Sequence, residues 1–292
     1  MTIAFAVRLT LLASIWLIVL SLGARASVTE ASFVVRRPAL LLRAVVAMFV
    51  IAPAFALLLA ATTSLPAPIR FAIVAMSVAP IPPILPFKQM KAGGGADYAI
   101  GLLVAASIVA VLATPLLIAL AARLLGAEAF VTSGRVARTL LISVALPLVV
   151  GMLARALSPA VAAVIGGHAQ RLGRLLLLVA FAAMIVGSGR EILVLLGNGS
   201  ALAIAAAVGV GLAAGHLLGS TSQPGALALA AASRHPGVAL AIAELSYPDQ
   251  SRQITAAILI YLVVTALVTA PYVRWLTRRP VAATAPAAAA PS

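Results

Sequence analysis

The sequence predicts an all-α polytopic membrane protein of about nine transmembrane helices, laid out as inverted repeats with two broken, crossing helices. Three observations predict it. Of 292 residues, 64% are hydrophobic and 9% charged, whereas a soluble domain carries about 25% charged residues; mean hydropathy is +1.19. The stretches 44–69, 98–122, 192–233 and 253–273 carry no charge, and about 20 apolar residues span a bilayer. Two further apolar segments are interrupted midway by proline or by proline with charge.

Taken in order, the spans are expected near 3–22, 39–61, 69–91, 97–123, 136–157, 170–194, 200–219, 225–246 and 253–276. In the first, Arg8, the run Leu9 to Leu22 and Ala24-Arg25-Ala26 imitate a secretory signal with a cleavage site. A single arginine ahead of the run, in a chain that is otherwise membrane-embedded, favours a retained helix. The run 192–233 holds two helices, divided by Gly219 to Gly225. The layout gives a first repeat at 1–124, a linking span at 125–169, a second and inverted repeat at 170–279, and an Ala/Pro-rich disordered tail at 280–292.

Nine spans place the termini on opposite sides. With the C-terminus inside, Arg25, Arg36, Arg37, Arg43, Lys88, Lys91, Arg155, Arg171, Arg174, Arg274, Arg278 and Arg279 fall inside. They outnumber the outside set of Arg8, Arg70, Arg123, Arg135, Arg138, Arg190 and Arg252, which points to N-out, C-in in a bacterial cell membrane. The net charge of +14 is scattered between apolar runs and forms no nucleic-acid-binding patch. There are no cysteines, so thiolate metal sites and cysteine nucleophiles are excluded. Three widely spaced histidines assemble no evident metal site, and no cofactor motif is present: Gly93-Gly94-Gly95 lacks the lysine of a phosphate loop. Gly187-Ser188-Gly189 is too short for a serine-hydrolase elbow. The sequence therefore speaks against an enzyme, and a channel ranks behind a transporter.

The third span contains Pro80, Pro82, Pro83 and Pro86. Each removes a backbone donor and clashes with a preceding carbonyl, so a regular helix cannot pass. The eighth contains Ser233-Arg234-His235-Pro236-Gly237. Each broken span is followed by one long helix, and five spans of offset reverse their sense. Paired interruptions in corresponding spans point to a transporter's binding site.

At these segments the chain resembles the bile acid:sodium symporter family. Arg37-Pro38, Leu65-Pro66, Ala79-Pro80, Thr114-Pro115-Leu116-Leu117, Gly215-His216-Leu217-Leu218-Gly219 and Pro236-Gly237-Val238-Ala239-Leu240-Ala241 carry the likeness in order. The resemblance implies a core domain, in which the broken helices cross near the midplane, and a panel domain. It also exposes departures. Leu85-Pro86 stand where sodium-coupled members have Ser-Asn, and Ala99 and Leu103 stand where hydroxyl residues are expected. Ala230 falls at a glutamate and Arg234-His235 at Gln-Asn. By the family's arrangement, sodium is not expected to bind, and no metal ligands are carried over.

The expected substrate-contacting set is Arg234, His235, Ser233, Gln89 and Lys88. A mid-span arginine costs about 2.5–3.5 kcal/mol on insertion scales and presents a fork suited to carboxylate or phosphate. Arg234 therefore either binds a substrate's anionic group or takes the place of the missing cation. Alternatively it pairs with an internal carboxylate, such as Glu244 or Asp97, or with free carbonyls of the first break. His235 reads as a neutral hydrogen-bonded ring, with proton coupling as the alternative. Lys88 either faces a cavity or snorkels to the surface. His168 and His216 read as helix-end residues without a site role. The expected function is secondary transport of a small organic anion or amphipathic metabolite by alternating access, the partners being the bilayer and that solute. The alternative is a proton-coupled or uniport carrier of a neutral solute.

Overall fold

A computed structural model describes residues 3–125, 133–197, 199–220, 223–246 and 250–278. The expected disordered tail lies outside them. The described chain is helical apart from turns and one isolated bridge between Ser220 and Gln223. Span one is α1, Ile3–Gly23. A short α2, Val28–Ser32, begins with a capping box: the Glu30 amide donates to Ser27 Oγ at 3.1 Å, and the Ser27 amide donates to the Glu30 carboxylate at 2.7 Å. Span two is α3, Pro38–Thr62. The first broken span comprises α4, Ala67–Val78, and α5, Leu85–Lys91. Then come α6, Ala96–Leu125, α7 at 133–157, α8, Pro159–Gly187, and a short α9, Gly189–Leu195. Span seven is α10, Ser200–Leu218. The second broken span comprises α11, Pro224–Ala232, and α12, Pro236–Ser246, and α13, Ser251–Arg278, closes the described chain.

Prolines punctuate this order for a physical reason. Pro38, Pro68, Pro86, Pro159 and Pro224 stand in first turns, where the missing N–H has no helical acceptor to satisfy. Pro53 and Pro147 lie deeper, and each is preceded by a wide π-helical turn, Val46–Ile51 in α3 and Leu141–Ala145 in α7. In such a turn the carbonyl bonds to the amide five residues on, as Ala47 does with Ala52.

Eight of the nine expected spans agree with the helices to within a few residues. The sixth requires correction. Its helix starts at Pro159, directly after a one-residue turn at Ser158, and not near 170. The segment 159–169 is apolar, and Arg171 and Arg174 interrupt its hydropathy without interrupting its backbone. His168, expected at a helix end, consequently lies inside α8, where Nδ1 bonds the Val164 carbonyl at 2.9 Å.

The helices form two packed groups. In one, α1 lies against α7 and α8, brought close by glycines. A Cβ at Gly151 would sit 2.6 Å from the Ala24 amide nitrogen, and one at Gly173 would sit 2.8 Å from Ile18 Cγ1. Small residues permit this approach between membrane helices, where lipid supplies no hydrophobic drive. In the other group α10 lies on α11 through Gly211 and Gly215, a Gly-xxx-Gly face whose Cβ atoms would strike the Ala231 and Leu227 carbonyls. Around them pack α3 to α6, α12 and α13. The groups meet where α6 packs on α7, where α8 reaches α13 and α12 reaches α7, where Ile15 of α1 touches Gly237 of α12, and where Arg25 and Arg174 stand over the Phe87 ring at 6.0 and 5.4 Å.

Gly173→Leu is expected to lower the thermal unfolding midpoint of the purified protein by several degrees, since overpacking costs about 1–3 kcal/mol. Gly167→Ala, on the same helix with open space around it, should leave the midpoint unchanged or slightly higher.

Candidate functional site at the helix crossing

The first break leaves three successive carbonyls without helical partners. Val78 and Ala79 would bond the amides of residues 82 and 83, and both are prolines. Pro80 lies in the non-helical stretch 79–84, so its carbonyl has no helical register to continue. An unpaired buried carbonyl costs about 1–3 kcal/mol, and the bilayer core offers no water to repair it. The structure gives each one a partner from elsewhere. Thr114 Oγ1 of α6 donates to the Val78 carbonyl at 2.6 Å. Arg234 Nη1 donates to Ala79 at 3.1 Å. The His235 amide donates to Pro80 at 2.9 Å.

Arg234 carries two more such contacts. Its Nε donates at 3.2 Å to the carbonyl of Ala231, in the last turn of α11. Its Nη2 donates at 2.6 Å to Met48. Met48 lies in the wide turn of α3, and its π-register partner is Pro53, which has no N–H. One guanidinium thus gathers carbonyls from α3, from the end of α4 and from the end of α11. Helix C-termini carry partial negative charge, so two of the three contacts are with the poles that attract a cation. The side chain is 2% exposed, and its Cζ lies 5.8 Å from the Phe49 ring centroid.

Of the residues expected to contact substrate, the structure brings Ser233, Arg234 and His235 to this crossing. His235 is buried, and its Nδ1 accepts from the Gly237 amide at 3.1 Å, which places a neutral ring's proton on Nε2. Ser233 is half-buried at the C-terminal cap of α11. Pro80, Pro83 and Gly237 are buried, and Pro82 and Pro236 half-buried, around the same crossing; Pro86 is buried in the first turn of α5. Gln89 lies at the far end of α5, where its Nε2 donates to the Ala226 carbonyl at 2.6 Å. Nearby, the Gly95 amide donates to Gln223 Oε1 at 2.7 Å, so two glutamines tie the end of one broken span to the start of the other. Lys88 is exposed.

Among the described residues the partners of Arg234 are carbonyl oxygens and not carboxylates. Asp97 is exposed at the start of α6, and the side chain of Glu244 lies outside what is described. Sequence reasoning missed Met48 and Thr114. Pro53 was the available signal for the first, because a proline deep in a span always frees a carbonyl on the preceding turn. Thr114 stands in the Thr114-Pro115-Leu116-Leu117 stretch that carries the family likeness, but nothing in that stretch marks its hydroxyl as a donor to the first break.

Comparison with known families bears on this geometry. The model of the sodium bile acid symporter family matches residues 12–195. The chain belongs to that family. The matched stretch runs from α1 to α9 and includes the first break, and the family places the chain among membrane transporters. No curated protein matches it. The family's name carries sodium, and four positions that the resemblance sets against the family's sodium ligands are apolar in this chain. Leu85, Ala99, Leu103 and Ala230 are buried and apolar, and they offer no side-chain oxygen to a hard cation. Among the described residues no cluster of histidine and carboxylate suits a metal ion either.

Thr114→Val keeps the shape of the side chain and strands the Val78 carbonyl. It is expected to destabilise the protein by about 1–3 kcal/mol, read as a lowered unfolding midpoint, while Thr114→Ser should retain most of the stability.

Proposed function

We propose that this member of the sodium bile acid symporter family is a sodium-independent secondary carrier of a small organic anion or amphipathic metabolite. Arg234 serves as its built-in cation. The observation that carries this reading is the guanidinium lodged on three backbone carbonyls of three helices, two of them at broken-helix ends. In transporters such ends and unwound carbonyls coordinate the coupling ion; here a covalently attached charge occupies them. An arginine keeps its charge under all physiological conditions, so the crossing needs no ion from solution.

In this reading residues 1–124 and 159–279 are inverted repeats joined by the span α7 at 133–157. The group built on α3 to α6 and α10 to α13 is the mobile core, and α1, α7 and α8 form the panel. Substrate anion meets the crossing at half-buried Ser233, within the field of Arg234, and exposed Lys88 attracts it at the mouth. The basic ends support the orientation. Arg155 bonds the Arg25 carbonyl, Phe87 joins Arg25 to α5, Gln89 joins α5 to α11, and Leu276 of α13 packs on Gly225. One face therefore gathers Arg25, Lys88, Lys91, Arg155, Arg274 and Arg278, the face expected to be cytoplasmic.

Two measurements test the reading. The unfolding midpoint should be the same in sodium and potassium at matched ionic strength, because a native-state ligand would raise it by RT ln(1 + [L]/Kd); a sodium-specific rise would refute the proposal. Arg234→Ala should insert into the membrane but lose uptake by at least tenfold. Added guanidinium ion should restore part of it by refilling the carbonyl cage, and undiminished uptake in Arg234→Ala would remove the residue from the mechanism.

A further inference from the structure

A groove of about 680 Å³ lies between α1 and α8, walled by Leu17, Leu20, Ile165, Leu172 and Leu175, with Arg171 and His168 on its rim. It faces away from the core. Ile15 touches α12, and Leu17 and Leu20 follow it by about 200° and 140° around α1 at about 100° per residue. The α8 side is exposed along Ile165, Leu172 and Leu175. The walls are thus apolar and turned to the bilayer, yet an arginine stands at their edge.

That arginine is unusual in its surroundings. Because α8 is continuous from Pro159, Arg171 lies three turns inside the helix, exposed, and among the described residues it bonds no carboxylate. Glu30 is engaged in its own capping box, Asp97 begins α6, and Glu191 lies on α9. A lipid-facing guanidinium is costly unless an anion meets it. Leu17 and Leu20 lie within about 10 Å of the end of α1 at 1.5 Å per residue, so Arg171 stands near headgroup depth with apolar walls beneath it.

We propose that the groove is a binding site for an anionic phospholipid. Its phosphate sits on the Arg171 guanidinium, with His168 one turn away, and its acyl chains lie on Leu17, Leu20, Leu172 and Leu175. A free inorganic anion would have no use for the apolar walls. A second copy packed here about a two-fold axis would set Arg171 near its own counterpart, and that repulsion disfavours a dimer through this face. With the basic face cytoplasmic, the lipid belongs to the inner leaflet, where anionic lipids concentrate.

The test is native mass spectrometry of the intact purified protein offered equal amounts of phosphatidylglycerol and phosphatidylcholine with matched acyl chains. Wild type should retain several-fold more phosphatidylglycerol. Arg171→Ala should reduce that retention to the phosphatidylcholine level, Arg171→Lys should keep most of it, and Leu17→Trp should lower both lipids by filling the groove. Equal retention of the two lipids by wild type would overturn the proposal, as would a preference that survives Arg171→Ala. A dimer that forms in place of the lipid adduct, and is lost in Leu17→Trp, would overturn it as well.

Discussion

The structure turns on one constraint: backbone carbonyls freed by proline must find donors in a medium without water. Pro53, Pro82 and Pro83 between them remove the helical partners of Met48, Val78 and Ala79. The donors that replace them come from α6 and from the second break. This requirement, more than any side-chain preference, holds the two broken spans against each other. At about 1–3 kcal/mol for each stranded carbonyl, the sum rivals the cost of burying the arginine that satisfies most of them, about 2.5–3.5 kcal/mol on insertion scales. The proline run and the mid-span arginine are each unfavourable alone and offset one another when brought together.

Much of the architecture was legible in the sequence because hydropathy and proline act locally. Uncharged runs gave the long helices, and the four prolines of span three marked a break that the backbone cannot avoid. Span six was misplaced for an equally local reason. A charge inside a run was read as a membrane boundary, but Arg171 and Arg174 sit on the side of a helix that continues past them. The site was legible in part. Ser233, Arg234 and His235 could be placed at the second break from their neighbours in sequence. That Arg234 reaches Ala79 and Met48, far away in the chain, is set by tertiary approach through Gly211 and Gly215 and by the wide turn ahead of Pro53, which no hydropathy average records. Gln89 was grouped with the crossing because it follows the first break, yet α5 carries it to the opposite end of its half-span.

The two helical groups differ in how they are held. Glycine-mediated contact dominates α1, α7 and α8, where Gly23, Gly151, Gly166 and Gly173 bring backbones together. In the larger group, side chain to backbone hydrogen bonds from Gln89, Gln223, Thr114 and Arg234 add directional links between elements distant in sequence. Such links resist shear within that group, while the boundary between the groups is made by the packing of α6 on α7, by contacts of α8 with α13 and of α12 with α7, and by the Phe87 ring.

A cation that is part of the polypeptide cannot be released on either side of the membrane, and in the proposed carrier this would reshape how voltage acts on the cycle. In the proposed cycle, the moving group and a bound monovalent anion are together neutral at the crossing, and the loaded step feels little of the transmembrane field. The empty group carries the full positive charge of Arg234, so the field acts on the return step, by up to about 2.3 kcal/mol per 100 mV for a charge that traverses the whole drop. A negative-inside potential would then hold the empty carrier toward the cytoplasm and slow its outward reset. The membrane voltage would thereby govern the rate of turnover without supplying a driving ion.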